Sequence, residues 1–170
     1  RVYMPKWLSF LNCAKAIITG ESLQVAYYRN NKFKRKITEY LQTHDAVIAH
    51  LIRTAEYIRK VQVPNFLEMT DAISLNYERA CYLDKKRGLK QKIYELEVAR
   101  CKQYEKKILH EFSSIFLVSP KDREVLSEEK KDSKNHVVVA SNGVDFESFE
   151  YQPPNVRNLR QPVVVFIGNM

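Results

Sequence analysis

Three polar residues stand where chemistry can take place. Asp71 follows the run Pro64-Asn65-Phe66-Leu67-Glu68-Met69, which reads as a buried strand, and His50 closes the run Asp45-Ala46-Val47-Ile48-Ala49 in the same way. Open α/β sheets bind their ligands beyond the carboxyl ends of their strands. A carboxylate at that edge can accept a proton as a general base. It can equally close an Asx turn, or cap the helix that follows Ser74. His50 suits an anionic group, or a bond to a neighbouring loop. Arg53 can grip a phosphate bidentately or form a surface ion pair. Other motifs lead nowhere. The four glycines, Gly20, Gly88, Gly143 and Gly168, form neither G-x-G-x-x-G nor a Walker loop. Cys13, Cys81 and Cys101 lie far apart without histidines at ligand spacing, so no zinc module and no bound metal are expected. Ser74 lacks the context of a nucleophile elbow.

Composition narrows the classes. The chain has 170 residues with 28 Lys+Arg against 20 Asp+Glu, a net charge of +8. That length suits about one domain, and 45% hydrophobic with 28% charged residues is an ordinary globular balance. No apolar run approaches the roughly 18 residues of a spanning helix, and the opening residues are not expected to act as a signal peptide. With an odd cysteine count, the expected compartment is reducing and cytoplasmic. No RRM, KH or helix-turn-helix signature accompanies the basic residues, so nucleic acid is not an expected partner. Arg29, Lys32, Lys34, Arg35 and Lys36 form one local cluster. At about 1 kcal/mol per charge near an anionic bilayer, with Trp7 and Phe10 as interfacial anchors, they predict weak, reversible peripheral contact.

The elements that must position these residues alternate in type. Pro5 opens a helix through Leu8, Leu11 and Ile18 that Gly20 can stop. Residues 23–28 read as an irregular or short extended connection. Phe33, Ile37, Tyr40 and Leu41 mark an amphipathic helix. A strand over 45–50, a short helix near 54–60 and a strand over 64–69 follow. A long helical stretch begins at Ser74, with an interruption at Gly88. A strand over 112–118 leads into Ser119-Pro120-Lys121-Asp122, a cap followed by a first-turn proline. A strand over 137–140 ends in the turn Ser141-Asn142-Gly143-Val144-Asp145. The expected class is α/β: a Rossmann-like parallel sheet with helices on both faces.

Several stretches, in order and spacing, resemble glycosyltransferase family 4 (group 1), enzymes of the GT-B fold, nearest to the exopolysaccharide and sugar-transferase branch. They are His50-Leu51-Ile52-Arg53; Met69-Thr70-Asp71-Ala72-Ile73-Ser74 with Tyr77-Glu78-Arg79; Glu105; Val118-Ser119; Ser141-Asn142-Gly143-Val144-Asp145 with Phe149; and Val165-Phe166-Ile167-Gly168-Asn169-Met170. The resemblance covers most of the chain. It implies a partial acceptor-side domain over 1–151, an interdomain linker over 152–161 and the first strand of a donor domain over 162–170. It implies that the family's first strand and glycine-rich loop precede Arg1, and that its sugar-nucleotide pocket follows Met170. It further implies a nucleotide-sugar donor and a glycan or lipid-linked acceptor, with no cofactor held by this chain. Asp71 would be the catalytic base, and His50, Arg53, Gly168 and Asn169 would bind substrate. Alone, the fragment is expected to be inactive and to self-associate through uncovered edges. A non-catalytic α/β interaction or regulatory module is the alternative.

Overall fold

A computed structural model describes residues 2–83, 88–127, 136–145 and 147–148. Helix α1, Lys6–Thr19, begins after Pro5 and stops at Gly20, whose φ of 75° is the left-handed conformation that glycine adopts without a Cβ clash. Helix α2, Leu23–Ala26, occupies the stretch expected to be irregular or extended. Its first amide is satisfied from far away, by the Glu97 carboxylate at 2.8 Å. Helix α3, Asn31–Leu41, is capped by Asn30, whose side-chain oxygen accepts from the Lys32 and Phe33 amides.

Strands β1 (Val47–His50), β2 (Asn65–Thr70), β3 (Ser114–Leu117) and β4 (His136–Val139) form one parallel sheet in chain order. A 3-10 turn over Ile52–Tyr57 joins the first pair, where a short helix over 54–60 is expected. Helices α4 (Ile73–Leu83) and α5 (Leu89–Ile108) join the second pair, and α6 (Pro120–Ser127) the third. This is the expected Rossmann-like α/β class, a parallel sheet flanked by helices.

Cover is unequal between the two faces of the sheet, where helices on both faces are expected. Parallel strands laid down in chain order, with crossovers of one hand, return every connection to the same side. Accordingly Ala49, Leu67, Met69, Ile115 and Leu117 share a core with Ile52, Ala55 and Ile58 beyond β1, Ile108 of α5 and Leu126 of α6. The alternate strand residues, Ile48, His50, Phe66, Glu68, Phe116 and Val138, point to the opposite face. There Ile48 is 67% exposed and Val138 41%, so β1 is less buried than its apolar run predicts. Phe66 and Phe116 shield each other with ring centroids 6.4 Å apart. The expected linker at 152–161 and the expected last strand at 162–170, with Gly168 and Asn169, lie outside the described residues, as does Phe149.

Candidate functional site

Backbone strain marks the carboxyl edge of the sheet. Among the described residues, the non-glycine positions with positive φ are Leu51 and Thr70, each at 67°. They stand at the ends of neighbouring strands. A β-branched threonine in this region is costly and persists only where the surroundings dictate it. At Thr70 they do so through a γ-turn, in which the Asp71 amide donates to the Met69 carbonyl at 2.8 Å. The strand pairing shifts register at the same point, between Glu68 and Thr70. Beyond the turn the Thr70 carbonyl accepts from the Val118 amide at 3.0 Å, which fixes the turn against β3.

This edge gathers a polar network. His50 and Glu68 are register partners on β1 and β2, and His50 Nδ1 bonds to Glu68 Oε2. The Thr70 hydroxyl donates to Glu68 Oε1 at 2.7 Å. Partial burial pushes the Glu68 carboxyl up, but the hydroxyl of Thr70 and the imidazole of His50 together hold it below the usual range. An ionised Glu68 therefore accepts from His50 Nδ1 and orients the exposed ring, whose Nε2 edge faces away from this bond. Thr54 closes the corner by donating its hydroxyl to the His50 carbonyl at 2.6 Å.

Asp71 is half-buried beside this network, and its side chain makes no hydrogen bond or ion pair among the described residues. Capping of α4, the alternative use for Asp71, is done by other acids. The Ala72 amide donates to Asp122 Oδ1 at 3.0 Å, and the Ser74 amide to Glu105 Oε1 at 3.0 Å. Both acids are buried. Burial pushes the Glu105 carboxyl up, against the pull of the α4 amides that it accepts from. Arg53 makes no ion pair among the described residues. Its guanidinium lies 4.7 Å from the Tyr28 ring centroid and donates to the Tyr28 hydroxyl at 2.9 Å. Stacking of this kind pre-orients a planar cation while leaving further N–H groups free for an anion.

His50 is thus joined to Glu68 and Thr70, Asp71 follows directly in the chain, and Arg53 is held by Tyr28 on the turn beyond β1. Glu68, Thr70 and Tyr28 are the partners that sequence reasoning missed. For Glu68 a signal exists: it lies near the end of one apolar run as His50 closes the run before it, and parallel pairing of those runs brings the two together. No group of His, Cys, Asp and Glu able to hold a metal is present among the described residues. The fold and this edge define a parallel α/β protein with a polar site at the carboxyl ends of β1 and β2. No family model, curated protein or solved structure matches the chain.

Proposed function

We propose that the chain is the acceptor-side part of a cytoplasmic glycosyltransferase of polysaccharide synthesis, one that moves a sugar from a nucleotide-sugar donor to a glycan or lipid-linked acceptor. In this reading Asp71 accepts the proton of the acceptor hydroxyl. The hydroxyl oxygen bonds to the anomeric carbon, and the bond from that carbon to the nucleotide diphosphate breaks. His50, oriented by Glu68, and Arg53, oriented by Tyr28, bind hydroxyl or phosphate oxygens of the substrates. The reading includes no cofactor and no nucleic acid, and Gly168 and Asn169 keep their proposed donor contacts. The observation that carries it is the strained γ-turn at Thr70, which sets an unpaired Asp71 at the sheet edge while Asp122 and Glu105 take over the capping. Strain of this kind clusters at functional sites.

The test is sugar transfer from labelled nucleotide sugars by the protein that carries this sequence, with Asp71→Asn and His50→Asn beside it. The reading requires Asp71→Asn to lose turnover at unchanged melting temperature. A second reading, a non-catalytic interaction module, is favoured by the exposed apolar sheet face at Ile48 and Val138. Absence of transfer with every common nucleotide sugar would turn the assignment to that module.

A further inference from the structure

Helix α1 is built inside out. Its buried residues are Ser9 and Ala16, with Leu8, Asn12 and Cys13 half-buried. Trp7, Phe10, Leu11, Ala14, Ile17 and Ile18, spaced by threes and fours, are exposed instead. Trp7 is 64% exposed, Phe10 68% and Ile18 87%. A helix packed on a globular body normally turns such a stripe inward. Here polar bonds hold the opposite orientation: Asn12 Nδ2 donates to the Arg29 carbonyl at 2.8 Å, and Arg100 to the Ile17 carbonyl at 3.2 Å.

An open groove runs beside the helix, between α1 and α3. Trp7 and Lys15 line it from one side, and Arg29, Lys32, Arg35 and Lys36 from the other, with Glu39 as its acid. Among the described residues Lys15, Lys32, Arg35 and Lys36 make no ion pair, whereas Arg29 is paired with Glu21 at 2.9 Å. No helix among the described residues is long and apolar enough to cross a membrane. A short helix with an exposed apolar stripe and adjoining cations has the geometry of one that lies in a bilayer interface.

We propose that α1 docks the protein on an anionic phospholipid bilayer, its stripe among the upper acyl carbons and the groove cations against lipid phosphates. The inference does not depend on the transferase reading. Charge complementarity selects this occupant: a second copy would bring another chain of net charge +8 against the same basic groove. Each cation near an anionic surface raises partitioning about fivefold, so the unpaired groove lysines and arginine multiply the hold of the stripe.

Trp7 is the one tryptophan in the chain, so its emission reports on the stripe directly. Vesicles of phosphatidylcholine with phosphatidylglycerol should shift that emission to the blue and co-float the protein. Binding should exceed that to pure phosphatidylcholine by at least about tenfold and fall as salt rises. The exposed-site variant Phe10→Ser with Ile18→Ser should lower flotation at least about tenfold with unchanged circular dichroism. Lys32→Glu with Arg35→Glu should erase the preference for phosphatidylglycerol. Equal flotation of wild type and the stripe variant overturns the proposal. So does Trp7 emission that ignores anionic vesicles, or that shifts with protein concentration in their absence.

Discussion

Replacing Asp71 and Asp122 in parallel separates a reacting carboxylate from a structural one. Both acids sit at the start of α4, one beside it in sequence and one reaching over from α6. Asp122 is 5% exposed and its Oδ1 accepts from the Ala72 amide at 3.0 Å. Asp122→Ala strands that buried amide, a loss of about 1–3 kcal/mol. For a chain of this length each kcal/mol moves Tm by roughly 2–4 °C, so a loss in the middle of that range lowers Tm by about 4–8 °C. Asp122→Asn keeps an acceptor oxygen and should recover most of it. Asp71 has no such bond to lose, so Asp71→Ala should stay within about 0.5 kcal/mol of wild type, a shift of roughly 1–2 °C at most. If Asp71 is the base, Asp71→Asn lowers kcat by about 10²–10⁴-fold at the same Tm. The assay is a set of five melts, wild type and four variants, and a pair of turnover rates. An Asp71→Ala protein that melts as low as Asp122→Ala refutes the division of labour, and an Asp71→Asn protein with wild-type turnover refutes the catalytic role.

Three further outcomes follow from the geometry. Leu51→Gly releases a positive φ of 67°, a gain of about 1–3 kcal/mol that offsets the lost half-buried side chain. Its Tm should therefore stay near wild type, while Leu75→Gly, inside α4, drops it by many degrees in the same melt. The Glu68 carboxyl is held below its ordinary 4.5, so its contribution to stability is complete above that pH and fades as pH falls through the lowered value. Thr70→Val should bring the carboxyl back up, which carboxyl NMR titration reads directly. Glu105 has the opposite sign: burial raises its carboxyl above 4.5, so its contribution is present below 4.5 and declines as pH rises through the raised value. Melts at pH 5 and pH 8 should therefore favour Glu105→Gln over wild type more strongly at the higher pH, and an identical gap at both values would contradict the burial argument.

Local signals predicted most of the architecture. Pro5 and Gly20 bracket α1, the spacing of Phe33, Ile37, Tyr40 and Leu41 marks α3, and short apolar runs mark all four described strands, because each of these choices is made by residues adjacent in the chain. What was not legible depends on distant partners. Residues 23–26 turn helical with help from Glu97, seventy-odd positions away. Asp122 stands where a capping box would turn it back toward Ser119, yet it crosses to Ala72 instead. Leu11 and Ile18 show helical spacing in the sequence, but spacing does not say which side of α1 meets the body, and both face outward. At the site, Asp71 and His50 were visible as strand-end residues. The Glu68 bond needs the register of β1 on β2, and no propensity places a threonine at the centre of a γ-turn.

The carboxylates of α5 also set the order in which this fold comes apart. Glu97 accepts from the Leu23 amide and the Ser22 hydroxyl, and Glu105, two turns on, accepts from the Ser74 amide. One helix thereby closes the first turns of two others that are separated by some fifty residues in the chain. Opening of α5 over the stretch from Glu97 to Glu105 frees both amides, so Leu23 and Ser74 are expected to belong to one cooperative opening unit. In native-state hydrogen exchange their protection should rise and fall together along a denaturant series, despite their separation and the different exposure of the helices they begin.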